Sequence, residues 1–497
     1  MTQRITIDPI TRLEGHGKIE IFLDDAGDVA ETYFQVPELR GFERFCLGRK
    51  AEDMPNITNR ICGVCPEAHH MAATKALDGV FGVEPPSAAK KIRELFYSAF
   101  YATDHTTHFY ALGGPDFIVG PDAPASERNI LGVIAKVGVE IGRKVIDCRS
   151  RNHGIIKMLG GRAIHPTAGL PGGWSRSINE TERAHIEQVA RENIEFALFS
   201  LQAFDDLVLK NSGYVDLILS DVYVHRTYGM GTVDANGQLN FYDGQIRVVD
   251  QEGGVFLQYD PKDYASHLSE TVLPYSYLKY PYLKAVGWKG FADGAASGIY
   301  AATPLTRLNV SEGMPTPRAQ EHFDRMYATF GRDKVTARRY APIHHRLATH
   351  WARLIELLYA SERMLELATD PEITSPVVRV IPERIVGEGV GSVEAPRGTL
   401  THHYKTDENG ILTMVNLIVG TTNNHAAITL SIKKAAQSLI RRGEVVTDGI
   451  LNKVEMAFRL YDPCLSCATH SLPGHMPLIV RIKDAQGGMV QEFRQDS

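Results

Sequence analysis

DPCLSCATH, residues Asp462–His470, decides how this chain must fold. It sets Cys464 and Cys467 three residues apart, with a histidine three further on, close to the end of a 497-residue chain. Its counterpart is RICGVCPEAHH, Arg60–His70, which carries Cys62 and Cys65. One CxxC alone is as often a zinc knuckle or a redox dithiol. Four thiolates suit zinc, an iron–sulfur cluster or a soft transition metal. Structural zinc sites close short loops, with pairs about 12–20 residues apart. Here about four hundred residues separate the pairs. A small zinc ribbon is disfavoured, and the pairs can meet in one buried site only if the two ends of the chain fold together around a common core.

The totals bound the rest. Hydrophobic residues make up 43% and charged residues 23%, enough apolar material for a large core. The net charge of −6 argues against nucleic-acid binding. No run of eighteen or more apolar residues predicts a membrane span, and the start, MTQRITIDPITR, lacks a signal-peptide pattern. Of six cysteines, Cys46 and Cys148 stand alone and read as small buried hydrophobes.

Periodicity predicts a helix-rich α+β unit with central long helices and peripheral β hairpins. The opening alternates as strands, and 37–49 turns helical. Helices are expected at about 86–112, 126–160, 178–212, 316–330, 334–369 and 424–458. NG, DG and GG turns predict small hairpins after Gly231 and around DENG, and VVRVIPERIV reads as a strand. No internal repeat or linker divides the chain.

Other motifs hold chemistry with bland alternatives. Glu14 and His16 flank a glycine turn, and Glu43 reads equally as a solvated helix carboxylate. Asp104 and His108 share a helix face at i, i+4; with His105 they suit a core hydrogen-bond network better than a metal. His69 follows Cys65 by four residues and can hydrogen-bond behind the thiolates. GEGVGSVEAPRGTL is glycine-rich, yet no helix follows, so a dinucleotide fingerprint is weak. Arg397, after Pro396, can present a guanidinium to a buried site. HHRLATH, His344–His350, lacks the HExxH spacing and reads as a helix with a wet edge.

Taken in order, ITRLEGH, RGFE, RICGVC, DHTTHFY, EAPRG and DPCLSCATH resemble the large, catalytic subunit of nickel–iron hydrogenases over nearly the whole chain. RGFE, the compact length and LGGRAIHPTAGLPGGWS look most like the cytoplasmic, multimeric group, which includes NAD(P)-linked, deazaflavin-reducing and viologen-reducing, heterodisulfide-reductase-associated enzymes. The resemblance implies reversible oxidation of H2 to protons and electrons. It implies that Cys62, Cys65, Cys464 and Cys467 hold nickel, with Cys65 and Cys467 bridging to an iron that carries CO and cyanide. Glu14 would relay protons to and from Cys464. Arg397 would overhang the metals, held by Asp104 and Asp462, and Thr421 would hydrogen-bond a cyanide. Many relatives have proline before that threonine; this chain has Gly420. Glu43, the Leu417 carbonyl and His470 resemble a magnesium site, with iron as the alternative occupant.

The resemblance also implies partners: an iron–sulfur small subunit, further electron-transfer subunits, nickel-insertion proteins and a maturation endopeptidase. The last would cut at His470–Ser471, so that 1–470 is the mature unit and 471–497 a removable extension in a cytoplasmic protein. Three rivals stand beside it: the quinone-reducing subunit of complex I, which lacks the four cysteines; a component of an ion-pumping complex; and a zinc–thiolate scaffold.

Overall fold

The computed structural model describes residues 4–468, 478–483 and 489–495. Strands β1 (Arg4–Ile7), β2 (Lys18–Leu23) and β3 (Val29–Gln35) form an antiparallel sheet in that order. Helix α1 (Pro66–Val80) follows, with Cys65 at its N-cap and proline in its first turn, a position that tolerates proline's missing N–H. Helices α2 (Ser87–Thr107), α3 (Val139–Gly160) and α4 (Glu180–Phe204) come next. Asn179 and Glu182 close a capping box at the start of α4, satisfying two otherwise orphaned N–H groups. A four-stranded sheet is built from β4 (Tyr228–Val233), β5 (Gln245–Val249), β6 (Val255–Tyr259) and β7 (Tyr300–Ala301). Then come α5 (Pro304–Val310), α6 (Thr349–Ala368) and an antiparallel sheet of β8 (Glu388–Ala395), β9 (Gly398–Thr406) and β10 (Leu412–Ile418). Helices α7 (His425–Leu439) and α8 (Asp448–Arg459) lead to a short turn of helix at Leu465–Ala468.

Helix α6 packs against α2 and α4, and α1 lies across β8 and β9. The glycines that resembled a nucleotide fingerprint have a packing role. A Cβ on Gly391 would sit 2.1 Å from the Ala72 carbonyl oxygen, and one on Gly389 2.1 Å from that of Ala76. They let β8 touch the α1 backbone, which carries the first cysteine pair. One apolar cluster joins β2 and β3 to α1, α2, α6, α7 and all four paired cysteines, so the two chain ends do share a core.

The α+β class and the long helices agree with expectation; several boundaries do not. Helix at 37–49 shrinks to Phe42–Phe45, because Gly41 at its N-cap takes a left-handed φ of +60° and stops it from extending back toward Pro37. The 126–160 helix breaks at Gly138, whose φ is +91°. The 334–369 helix begins only at Thr349, after an irregular stretch that holds Pro342 and runs to His345. The 424–458 helix divides into α7 and α8. VVRVIPERIV is not a strand: Pro382 interrupts it, and it lies over Gly172–Trp174 through isolated backbone bonds. The wet edge expected at His344–His350 is buried, including His344, Arg346 and His350. Beyond Ala468 the chain forms an antiparallel hairpin, Leu478–Lys483 with Met489–Gln495.

Candidate metal centre

Cys62 and Cys65 sit in the turn entering α1, and the amides of Val64 and Cys65 point at the Cys62 sulfur at 3.2 and 3.4 Å. The second pair arrives on the segment after α8. All four sulfurs are buried and lie within 4.8 Å of one another. Cys62 Sγ is 2.9 Å from Cys464 Sγ, Cys65 Sγ 3.4 Å from Cys467 Sγ, and Cys464 Sγ 2.9 Å from Cys467 Sγ. Among the described residues this is the one group of three or more metal-type side chains placed so.

Burial resists more than one negative charge here. It pushes the Cys464 and Cys467 thiols well above their ordinary range. Burial also pushes Cys62 up, but hydrogen bonds from the other three sulfurs and the Arg397 charge outweigh it and hold that thiol well below its ordinary value. Four thiolates therefore need a cation, and a soft metal is the one that four sulfurs suit. Beside Cys65, Cys464 and Cys467 a small cavity is walled by Ala68, Ala395, Leu400 and Val419, with Arg397, Thr421 and His69 at its polar positions. The donor set and the adjoining space fit a metal with small ligands.

Each remaining expected residue has a definite place. Glu14 Oε2 accepts from Cys464 Sγ–H at 2.9 Å and from the Ser466 amide at 3.1 Å, while the Glu14 carbonyl accepts from Leu465 N at 2.9 Å. Thr421 Oγ1 accepts from the Cys464 amide at 3.0 Å. Gly420, beside it, accepts from Asn424 Nδ2 at 3.4 Å. Pro396 and Arg397 form the two-residue turn between β8 and β9. Arg397 reaches Asp104 at 2.9 Å and Asp462 at 3.0 Å. Burial lifts the Asp104 carboxyl to about 6 despite that arginine. Burial works on Asp462 too, but Arg397, His108 and Arg353 outweigh it and hold that carboxyl far below the usual range. His69 Nδ1 pairs with His402 Nε2 at 3.1 Å. Glu43 stands apart from the sulfurs: it accepts from Leu417 N at 2.8 Å and lies 3.4 Å from Lys279 Nζ, which Glu270 shares at 3.1 Å. His470 lies outside the described residues. His16 is largely exposed and pairs with Glu38.

Sequence reasoning passed over Arg353 and Glu356. Arg353 lies 3.6 Å from Asp462, and Glu356 binds both His105 and Arg307. Their signal was an i, i+3 charged pair within the otherwise apolar run Trp351–Tyr359. The expected network at Asp104, His105 and His108 is present, but each residue faces a different partner.

The description of nickel-dependent hydrogenases matches residues 40–127 and 233–470, and the HoxL-like family matches 4–39. The chain belongs to the nickel-dependent hydrogenase family. Within it, an iron-sulfur subunit of the F420-non-reducing hydrogenase of Archaeoglobus profundus is 50% identical over 99% of each chain. The NAD-reducing hydrogenase HoxS subunit beta of Cupriavidus necator is 36% identical over 99% of each. Among solved structures, an NAD+-reducing [NiFe]-hydrogenase in the H2-reduced state superposes with a TM-score of 0.86 at 36% identity, covering 94% of this chain and all of that one. The Ni-Fe-Se hydrogenase of D. vulgaris Hildenborough, at 23% identity and a TM-score of 0.71, shares the fold. This chain is thus the large, catalytic component of a hydrogenase, an oxidoreductase acting on H2. No helix among the described residues is long and apolar enough to cross a membrane.

Proposed function

We propose that this subunit carries out reversible H2 → 2H+ + 2e− at a nickel–iron centre held by Cys62, Cys65, Cys464 and Cys467, with Cys65 and Cys467 shared with an iron bearing CO and cyanide. The observation that carries this is the cluster of four buried sulfurs with a carboxylate on one of them. Such a centre, when bound, supplies the Lewis-acid and redox chemistry that heterolytic cleavage of H2 requires. The protein's own groups handle the proton. The Cys464 sulfur and the Arg397 guanidinium line the cavity where the gas would react. Glu14 is within hydrogen-bond reach of Cys464, which a proton relay demands. Asp104 and Asp462 fix Arg397. Thr421, accepting from the Cys464 amide, keeps its own O–H to donate to a cyanide nitrogen.

Electrons must leave by another chain. Four of the six cysteines are committed here, and the other two, Cys46 and Cys148, are buried singly. An iron–sulfur subunit is therefore required; the relatives' names are those of single subunits of larger hydrogenases, and further electron-transfer subunits would lie beyond it, in the cytoplasm. Near Glu43, two carboxylates share one ammonium. A hard cation such as magnesium, or iron, would take oxygen ligands here from Glu43 and the Leu417 carbonyl, with His470. Nickel-insertion proteins and an endopeptidase cutting after His470 would complete assembly.

The test is an infrared spectrum of the natively matured complex in the region where metal-bound CO and cyanide absorb. One CO band with two cyanide bands is expected. Their absence from a sample whose intact mass ends at His470 overturns the assignment.

A further inference from the structure

Four consecutive carbonyls in the turn that bears Arg397 are each held by a buried side chain. The Glu394 carbonyl accepts from the hydroxyls of Tyr97 and Tyr101 at 2.6 and 2.7 Å. Arg307 Nη1 donates to the Ala395 carbonyl at 2.9 Å, and Arg307 Nη2 to that of Pro396 at 3.1 Å. Asn424 Nδ2 donates to the Arg397 carbonyl at 2.6 Å. A two-residue turn between strands does not need such bracing to form. The donors come from α2, α5 and the turn before α7, so the tip of the β8–β9 hairpin is fixed relative to three separate elements.

Arg307 is the hub. It is fully buried, and its guanidinium binds the Glu356 carboxylate twice, both at 2.7 Å, with Glu394 at 3.4 Å. Glu356 is anchored in turn by His105 Nε2 at 2.9 Å. The planar fork of arginine thus serves two carbonyls on one side and a carboxylate on the other. A buried charge of this kind is costly to desolvate, so its geometry has to be met by every partner around it.

We infer that Arg307 is a positioning residue for Arg397, setting the height and angle at which that guanidinium overhangs the sulfur cluster. The inference rests on the role proposed for Arg397. Misplacement of a reacting group by about 1 Å can cost about a hundredfold in rate, which sets the scale expected.

The test uses the matured complex and two variants, Arg307→Lys and the charge-balanced pair Arg307→Gln with Glu356→Gln, each made with Arg397 and with Arg397→Lys. Lysine keeps the charge but one nitrogen cannot reach both carbonyls and both carboxylate oxygens. Nickel content should stay at the parent level. H2 oxidation at saturating gas should fall about tenfold to a hundredfold, with KM for H2 little changed. The cyanide bands should shift in the direction that Arg397→Lys shifts them. In the Arg397→Lys background the Arg307 change should cost nothing more, since there is no guanidinium left to place. An unchanged rate, an equal loss in both backgrounds, or loss of nickel in both variants overturns the inference while leaving Arg397 its role. Full activity of Arg397→Lys alone removes that role, and the positioning role with it.

Discussion

The Glu14 carboxylate stands 2.9 Å from the Cys464 sulfur, although 449 residues lie between them in the chain. The contact is backed by the backbone: Leu465 N donates to the Glu14 carbonyl, and the two strands of chain bridge in parallel at Glu14 and Cys464. Glu14→Gln preserves shape and removes the ionisable group. Nickel content should stay level, while exchange of H2 with deuterium in solvent should fall by about 10²-fold or more, the contribution typical of a lost general acid–base. Unchanged exchange would remove Glu14 from the proton path.

Gly15 makes that approach possible. Its φ is +87°, and a Cβ there would meet Leu465 Cβ and Ser466 N at 2.9 Å. Gly15→Ala should therefore push the segment carrying Cys464 and Cys467 off the N-terminal loop. The expected outcome is a folded chain with substoichiometric nickel, read by metal analysis together with far-ultraviolet circular dichroism. Full nickel occupancy would show that the loop yields without cost.

Cys467→Ser tests the sulfur set. The hydroxyl is close in size but hard, and it ionises far less readily than a thiol, so it is a poor ligand for nickel. Nickel retention should drop to a small fraction of the parent, and CO and cyanide bands should vanish. A variant that keeps full nickel would exclude Cys467 as a ligand.

How far this architecture was legible depends on what each residue's neighbours are. The cysteine pairs were visible because a CxxC carries its chemistry in its spacing, and their separation demanded a joined core. Long helices were visible through periodicity. The boundaries at Gly41, Gly138 and Pro342 were misplaced because apolar spacing ran on past residues that stop a helix. Arg353 and Glu356 were hidden for the opposite reason. Both faces of α6 are buried, so charged residues that looked solvent-facing are interior. Nor could sequence show that Glu388–Ala395 needs Gly389 and Gly391 to lie on α1; close approach is a property of two segments, and only one was being read.

Asp104→Asn separates charge from shape in the arginine clamp. Burial holds the Asp104 carboxyl at about 6, so its ionised form is the costly one, and asparagine should fold without penalty. Arg397 then keeps only Asp462. H2 oxidation should fall by about tenfold with metals retained. Asp104→Ala leaves one buried N–H of Arg397 without an acceptor and should cost about 1–3 kcal/mol of stability, read from urea midpoints. Equal behaviour of the two variants would show that the acceptor and shape kept by asparagine are immaterial and that the lost charge carries the effect.

Buried histidines set the acid limit of the fold. Burial drives His70 and His108 down to about 4, and His105 and His344 to about 3. His70 shows why: its Nε2 accepts from the Gly169 amide at 2.8 Å, while Nδ1 faces the Pro55 carbonyl at 3.0 Å, so a second ring proton would confront an N–H. Each of these rings is neutral when folded and takes a proton near pH 6.5 when unfolded. Their contribution is therefore present above about pH 6.5 and is lost as pH falls toward 4 and 3, at up to about 1.4 kcal/mol per pH unit for each ring. Asp104, Glu67, Asp78 and Glu394, whose carboxyls burial raises, act in the opposite sense, but burial also lowers His153, His225, His322, His345 and His350, so nine rings stand against four carboxyls. The urea midpoint should fall steadily from pH 7 to pH 5, and His70→Asn, which cannot take up the proton, should flatten that fall. A midpoint that holds or rises over this range would show that these rings are already charged in the folded protein.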